Sequence, residues 1–375
     1  MKFLFVVQGE GRGHLTQAIA LKEMLTKNGH QIVNVLVGKS KRRELPSFFS
    51  NSMNTPICRF ESPNFLPSPK NKKNNIWISL AYNIFRTILY LRSIHFIRTQ
   101  IKKSEADVVV NFYEFLTGLS YACFPPKIPY ISIAHQYLFL HPEYKFPPCS
   151  IAELKMLKIY TRISCCRASK LFALSITKKE DVPFCCLTVM PPLLRKEFFT
   201  IKAETGNYLH GYMLNDTYIE DIINFQKNHP ETTMHFFWDK KDAPEEMAIN
   251  EHLTLHRLND QKFIKYMAGC KAYATTAGFE SVCEAIYLGK PVLMVPTHIE
   301  QDCNAYEISL AGGGIVDNAF NLDILLHYIP EYKENNEFRA WIQESEFIWM
   351  KAFELKKEDL IQNRLGYKFL LTGKQ

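Results

Sequence analysis

The chain opens with KFLFVV (2–7), GEGRGH (9–14), LTQAIALKEMLTKNGH (15–30) and QIVNVLVG (31–38). The first and last of these are short apolar runs typical of buried strands, whereas the third has apolar residues at helical spacing and ends near Gly29. A strand, a glycine turn, a helix and a second strand make a βαβ unit, the crossover that parallel strand pairs require. This opening therefore predicts a parallel sheet.

The same alternation continues along the chain. Short apolar runs typical of strands occur at 106–112, 129–135, 170–176, 207–213, 232–238, 253–258, 271–276 and 291–296. Helical patterns separate the later ones, at 218–228, 261–268, 280–288 and 302–311. The alternation predicts an α/β fold of two doubly wound, Rossmann-like parallel-sheet domains.

The boundary is predicted near residue 200, because Val189-Met190-Pro191-Pro192 makes a rigid, non-helical connection. We therefore assign 1–200 to an N-terminal domain and 201–375 to a C-terminal one. The 335–366 region looks helical, and it either stays with the second domain or crosses back to the first. Ligands of such sheets bind beyond the carboxyl ends of the strands, so the cleft between the domains is the expected site.

Composition excludes several classes of protein. With 47% hydrophobic and 22% charged residues among 375, the chain is neither collagen-like nor disordered. Its ten cysteines include two adjacent pairs and no Cys-x-x-Cys spacing, which argues against zinc or thiol redox chemistry. Because no apolar run is long enough for a signal peptide or a membrane span, we expect a reduced, cytoplasmic protein.

The net charge of +7 hides an asymmetry. Residues 1–200 carry 28 basic and 12 acidic side chains, a balance of +16, whereas 201–375 carry 17 and 26, a balance of −9. This difference indicates two domains with different electrostatic tasks.

The glycine turn at 9–14 lies between a predicted strand and a predicted helix, where backbone can approach a ligand closely. A dinucleotide fingerprint would need glycine where His14 stands and an acid near Val37–Lys39, and both are missing. The turn is not a Walker loop either, because no Gly-Lys-Ser/Thr follows at the required spacing. The turn is therefore interpreted as ligand-facing with an imidazole at its helix entrance, the alternative being a capping or solvent histidine.

A second turn lies in TTAGFESVCE (275–284), where a strand ends and a helix begins. Free amides there, together with the hydroxyls of Thr276 and Ser281, make an anion site without a metal. Glu284 lies one turn into the helix and can accept two vicinal sugar hydroxyls. Glu300 and Gln301 follow the next strand at the same sheet edge, where they can bind hydroxyls.

These stretches resemble the donor-nucleotide motif of GT-B glycosyltransferases, whose two domains face each other across a cleft. The resemblance is closest to bacterial relatives of the UDP-N-acetylglucosamine transferase that makes peptidoglycan lipid II, a cell-envelope enzyme. GRGH at 11–14 is similar to that family's glycine turn, and Ala134-His135-Gln136 is similar to its His-Glu-Gln turn only at Gln136. Plant-type members have His where Thr276 stands, and Leu15-Thr16-Gln17 follows Gly-His here where Pro is common.

The resemblance implies roles for individual residues. It places the donor diphosphate on Ser281 and the amides of Ala277 and Gly278, the ribose on Glu284, and the donor sugar on Glu300 and Gln301. Thr276 is a donor-binding candidate through its own hydroxyl and not through the resemblance. The resemblance places the nucleobase at the backbone of Arg257 and Leu258, and the acceptor side at Gly11, Arg12, Gly13, His135 and Gln136. Gly211 is a further donor-binding candidate, because the loop near 211–214 is expected to contribute to specificity. Arg12 is interpreted as a contact to phosphate or an anionic acceptor, or as a solvated surface arginine.

The function implied is inverting transfer of a sugar from a nucleotide-sugar donor, a UDP-sugar first, to a hydroxyl of a lipid-linked or other glycan acceptor. His14 is the candidate base, with Glu10 as the alternative, because an imidazole titrates near neutral pH. We expect no metal, since no Asp-x-Asp pair occurs, and no cofactor. A nucleotide-sugar epimerase and a non-catalytic nucleotide-sugar-binding protein are the alternatives.

A basic segment stands out between Ser62 and Ser104, with eight Lys or Arg residues, no acid and many interleaved aromatic and aliphatic residues. It predicts either an interfacial helix on an anionic membrane surface or a core helix with a solvated basic edge. The first alternative would make the protein peripheral on the inner leaflet of the cytoplasmic membrane. We expect no nucleic-acid partner, because no nucleic-acid-binding module is present.

Overall fold

The computed structural model describes residues 1–39, 45–63, 82–214, 216–240, 242–354 and 360. Two seven-stranded sheets with flanking helices form an α/β structure of two domains, which confirms the predicted fold class. Residues 64–81 of the basic segment and most of the chain beyond residue 354 are not in the described ranges. The parts of the predicted basic membrane helix and of the predicted helical region 335–366 that fall there lie outside the described residues.

The first sheet is formed by residues 2–190. Its strands are β1 (Lys2–Gln8), β2 (Gln31–Lys39), β3 (Ile57–Glu61), β4 (Val108–Phe112), β5 (Tyr130–Ala134), β6 (Lys170–Leu174) and β7 (Leu187–Met190). They lie in the order β3-β2-β1-β4-β5-β6-β7, and every neighbouring pair is parallel. The helices are α1 (Arg12–Lys27), α2 (Ser47–Met53), α3 (Thr87–Lys103), α4 (Phe115–Cys123) and α5 (Ile151–Ser164).

The second sheet is formed by residues 208–316. Its strands are β8 (Tyr208–Met213), β9 (Thr233–Trp238), β10 (Glu246–Ala248), β11 (Leu253–Arg257), β12 (Ala272–Thr275), β13 (Val292–Met294) and β14 (Ile315–Val316). The order is β10-β11-β9-β8-β12-β13-β14, parallel throughout except for β10 against β11. The helices from residue 197 onward are α6 (Glu197–Thr200), α7 (Ile219–Asn228), α8 (Asp260–Gly269), α9 (Phe279–Tyr287), α10 (Ile299–Leu310), α11 (Leu322–Tyr328), α12 (Asn336–Gln343) and α13 (Ser345–Ala352).

The central strands are buried on both faces, which explains their continuous apolar runs. All five residues of β4 and of β5 are buried between helix layers. Four strands escaped sequence analysis: β3, β7, β10 and β14 have only two to five residues each. In particular β7 occupies the positions just before Pro191, where we predicted only a connection, because an edge strand can end at a proline.

The C-terminal helices pack on both domains. Trp349 of α13 is buried, and its indole Nε1 donates to the backbone oxygen of Pro191 at 3.2 Å. The rings of Trp349 and Phe353 lie edge-on or tilted against Phe172 of β6, and Phe353 also meets Phe3 of β1. The end of α13 therefore covers the first sheet, although it follows the second sheet in the chain.

Candidate active site between the two domains

The glycine turn after β1 contacts the second domain directly. Gly11 is the N-cap of α1, and the helix begins at Arg12. A Cβ atom added at Gly13 would collide with the carboxylate of Glu280, the second residue of α9. A side chain at position 13 would therefore displace this carboxylate, so the glycine lets Glu280 lie against the turn.

His14 is buried on α1, with 8% of its surface exposed, so it is neither the N-cap nor a solvent histidine. Its Nδ1 lies 3.3 Å from Oε1 of Gln17, and its ring stacks on Tyr113 at 5.7 Å between centroids. Burial lowers the pKa of His14, and the negative charge of Glu300 opposes that shift in part. The imidazole is therefore neutral at pH 7 and able to accept a proton.

The opposite turn, after β12, has the geometry of an anion site. Ala277 has a left-handed backbone with φ of 53°, a conformation that costs a residue other than glycine about 1–3 kcal/mol. Gly278 is the N-cap of α9, with no side-chain hydrogen bond capping the helix. Ser281 donates its hydroxyl to the Gly278 oxygen at 3.2 Å, and Thr276 is buried beside the turn. The first amides of a helix point out of its N-terminus and favour negative charge there.

Glu284 lies one turn into α9 and is held by an arginine that sequence analysis missed. Both of its carboxylate oxygens accept hydrogen bonds of 2.7 Å from Arg195, and the guanidinium also lies 3.6 Å from Asp260. Burial raises the pKa of Glu284, while Arg195 opposes the rise. Any ribose on Glu284 must therefore share that carboxylate with Arg195 or displace it.

Glu300 and Gln301 begin α10, and the first of them meets the other domain. Gln136, just after β5, donates its amide to Glu300 at 2.6 Å. Gln301 uses its carbonyl oxygen to accept from the backbone N–H and the hydroxyl of Thr297, at 2.9 and 2.7 Å. Glu300 is thus joined to the first domain, whereas Gln301 is held by Thr297 of its own domain.

His135 joins the domains in a different way. Its ring stacks on Phe279 at 3.8 Å, its Nδ1 lies 2.8 Å from the Leu174 oxygen, and its Nε2 lies 3.2 Å from Glu307 of α10. Burial lowers the pKa of His135 to about 4 and raises that of Glu307 to about 8, so both groups are neutral at pH 7. This pair, of which sequence analysis missed Glu307, is part of the domain interface.

A family model described as glycosyl transferase family 1 matches residues 1–331. The chain belongs to this family. Similar solved structures include the glycotransferase of kitacinnamycin (TM-score 0.61, 14% identity, 94% of this chain and 98% of that one) and the spinosyn forosaminyltransferase SpnP (0.60, 12%, 96% and 99%). UGT89C1 of Arabidopsis thaliana, complexed with UDP-L-rhamnose, matches at 0.56 (14%, 96% and 96%). No curated protein sequence matches the chain.

In this glycosyltransferase, Arg12 contacts the second domain, whereas Glu10 lies near a carboxylate of the first domain. Arg12 forms an ion pair with Asp239 after β9, at 3.0 Å, and its guanidinium lies over the ring of Phe48. Arg12 is thus a bridge between the domains. Glu10 lies near Glu114, whose pKa is raised to about 7, mainly by burial and to a smaller degree by Glu10.

The remaining residues predicted to bind the donor nucleotide, Gly211, Arg257 and Leu258, lie on β8 or at the end of β11. Gly211 lies inside β8, where it pairs with Ala274 of β12, and a side chain there would strike the ring of Phe236. Arg257 is exposed at the end of β11, 3.6 Å from Glu245, and the backbone N–H of Leu258 donates to the Trp238 oxygen. In the sheet order, β9 and β8 separate β11 from β12.

Metal-binding clusters and membrane-spanning helices are both absent from the described part of the glycosyltransferase. No group of three or more His, Cys, Asp or Glu side chains is placed to hold a metal ion in that part. No helix among the same residues has the length and apolar character to cross a membrane.

Proposed function

We propose that this glycosyltransferase transfers a sugar from a nucleoside-diphosphate sugar, a UDP-sugar first, to a hydroxyl of a glycan with inversion at the anomeric carbon. One observation carries the proposal. A buried, neutral His14 and the N-terminus of α9 belong to two turns that meet where Gly13 packs on Glu280. A proton acceptor and an anion site on facing turns are what this displacement needs.

The leaving group is the diphosphate of the donor. The amides at Ala277 and Gly278 and the Ser281 hydroxyl would bind its oxygens, and the α9 dipole would stabilise the charge that develops as the glycosidic bond breaks. This part of the site needs no metal ion.

The attacking group is the acceptor hydroxyl. Its oxygen bonds to the anomeric carbon as the bond from that carbon to the diphosphate breaks, and the hydroxyl proton passes to His14. A single displacement of this kind inverts the configuration. Burial keeps the imidazole neutral and hence ready to take the proton.

The class of donor is supported by similar structures. SsfS6 from Streptomyces sp. SF2575 is complexed with thymidine diphosphate, and UGT89C1 is complexed with UDP-L-rhamnose. A nucleoside diphosphate would bring to the anion site after β12 the negative charge that a helix N-terminus favours, and UDP is the first choice because of the resemblance to the lipid II-forming transferase.

The same resemblance, together with a surface of the first domain, supports a lipid-linked acceptor at the cytoplasmic face of a membrane. Ile84, Phe85, Ile88 and Leu91 are exposed, with 90% of Phe85 accessible, and their spacing lies along one side of a helical segment. The opposite face of α3 is buried through Tyr90, Ser93, Ile94, Ile97 and Ile101. We propose that the exposed face contacts an anionic lipid surface, where each basic residue nearby would contribute about 1 kcal/mol.

Co-sedimentation with vesicles tests the membrane contact. We expect binding to vesicles with anionic lipid at low salt, and loss of that binding in Phe85→Asp. Equal sedimentation with neutral and anionic vesicles, or an unchanged Phe85→Asp variant, would contradict it.

Ligand-dependent melting tests the function itself. A true donor at 100 times its Kd should stabilise the protein by about 2.7 kcal/mol. The sugar that shifts the melt is then incubated with glycan and lipid-linked acceptors, and nucleotide release and product configuration are followed by NMR. We expect nucleotide release with inversion.

Each alternative has its own outcome in that experiment. Conversion of the donor to its epimer without nucleotide release would indicate an epimerase. Binding with neither release nor conversion would indicate a non-catalytic protein. A melt that no UDP, TDP or GDP compound shifts would overturn the proposal.

A further inference from the structure

We propose that Gln17 and Glu280 are positioning residues that together set the tautomer of His14 across the domain interface. The inference rests on the proposed function in one respect, the role of His14 as the base. The contacts that carry it lie within the described residues.

Gln17 lies between the other two groups. It follows His14 by three residues on α1, which places both side chains on one helix face, and it is fully buried. Its Oε1 lies 3.3 Å from Nδ1 of His14, and its Nε2 donates to Oε1 of Glu280. The three side chains therefore form a line from the first domain to the second.

The chemistry of an amide gives this line a direction. The NH₂ end of Gln17 only donates, its carbonyl end only accepts, and an ionised carboxylate only accepts. Glu280 thus holds the NH₂ end and turns the carbonyl toward His14. The imidazole must then carry its hydrogen on Nδ1, which leaves the lone pair on Nε2 for the acceptor proton.

Glu280 depends on this contact in turn. Burial raises the pKa of Glu280 to about 7, and the hydrogen bond from Gln17 opposes the rise by favouring the ionised, accepting form. Removing either partner would leave a buried polar group unsatisfied and free the amide to rotate.

The line exists only while the domains are in contact. His14 and Gln17 belong to the first domain, whereas Glu280 is on the helix that begins at the proposed diphosphate site. Gly13 packs against the same carboxylate, so separating the two turns breaks both contacts. Closure of the cleft would thereby prepare the base at the moment when the donor site is assembled.

The test is to measure the tautomer of His14 by long-range ¹H–¹⁵N NMR on the full chain labelled in histidine. The His14 signals are assigned as those that disappear from the spectrum of His14→Ala. In the wild type we expect hydrogen on Nδ1. In Gln17→Met, which keeps the length of the side chain, and in Glu280→Gln, we expect a shift of hydrogen toward Nε2. A wild-type protein with hydrogen on Nε2 would overturn the proposal without any variant.

Kinetics supply a second readout. We expect kcat of Gln17→Met to fall about 10- to 100-fold while the donor KM stays within about twofold, since the base and not donor binding is affected. Gln226→Met is the matched control, because Gln226 of α7 is also buried but its amide donates to the backbone oxygens of His229 and Pro230, just after that helix. That control should alter neither the tautomer nor kcat.

The outcomes separate this inference from the proposed function. A tautomer that depends on Gln17 in a protein without transferase activity would support the positioning line and contradict the function. An active transferase whose His14 tautomer is unchanged in both variants would support the function and contradict the positioning line.

Discussion

The turns after β1 and after β12 are built alike and differ in chemistry. Each ends a buried parallel strand and enters a helix through an extended glycine N-cap, Gly11 or Gly278, without a side-chain cap. The first helix then presents a buried imidazole, whereas the second presents a hydroxyl and follows a left-handed Ala277. The backbone arrangement is shared, and in the function proposed above the first turn takes up the proton and the second stabilises the negative charge.

The two turns also differ in how they are held. The first is joined to the other domain by Arg12 and Asp239, whose side chains are 24% and 27% exposed. The second is held by Arg195 and Glu284, which are 10% and 3% exposed. We therefore expect the α9 turn to depend on its ion pair for folding and the α1 turn to tolerate loss of its own.

The largest effect is expected from His14→Ala. Losing a general base should lower turnover by about 10²- to 10⁴-fold, while the Kd for nucleoside diphosphate stays within about twofold, because the anion site is on the other turn. Turnover assays and calorimetry measure the two quantities. His229→Ala, at a partly exposed histidine of α7's C-terminal end paired with Asp323, is the control and should change neither. A parallel loss of nucleotide binding would mean that proton acceptance and nucleotide binding are not separated between the two turns.

Arg195→Ala should cost about 3–5 kcal/mol of unfolding free energy, because it leaves the Glu284 carboxylate buried without its partner. Denaturant titration measures the change. Lys27→Ala, which removes an exposed pair with Glu346, should cost less than about 1 kcal/mol. Equal losses in the two variants would remove the contrast between buried and exposed pairs.

Ser281→Ala should weaken nucleoside-diphosphate binding by about 1.5–3 kcal/mol, the contribution of a hydrogen bond to a charged group. Calorimetry with UDP checks this value. Ser309→Ala is a matched control, since Ser309 makes the same local bond, to the Tyr306 oxygen of α10 at 2.9 Å. Unchanged UDP affinity in Ser281→Ala would remove that hydroxyl from the anion site.

The smallest effect is expected at the bridge of the first turn. Arg12→Ala and Asp239→Ala should each cost about 0.2–1 kcal/mol, because the pair is partly exposed. A double-mutant cycle isolates the coupling, which should fade in about 1 M salt. Coupling above about 2 kcal/mol would show that this pair is as important as the buried one.

Local patterns predicted most of the fold and both turns. The opening βαβ unit and the strand before Ala277 were predictable because apolar runs, glycine turns and helical spacing are short-range properties. Strands as short as β14, with two residues, leave no such pattern. The fold class needed no contact information, because alternating strands and helices imply parallel sheets.

The partners of the site residues were not predictable in the same way. Arg195 lies 89 positions from Glu284, and Arg12 lies 227 positions from Asp239. Nothing in either local sequence marks these pairs, since they depend on how the two domains meet.

The packing of Trp349 on Pro191 has a mechanical consequence. The chain passes between the domains twice, once after β7 and again on the way to α13, and the indole joins the two passages by a hydrogen bond. Because the two crossings are joined side by side, they would act as a single hinge between the domains. Motion of the domains would then be a swing about that hinge, with the widest gap at the rim farthest from it.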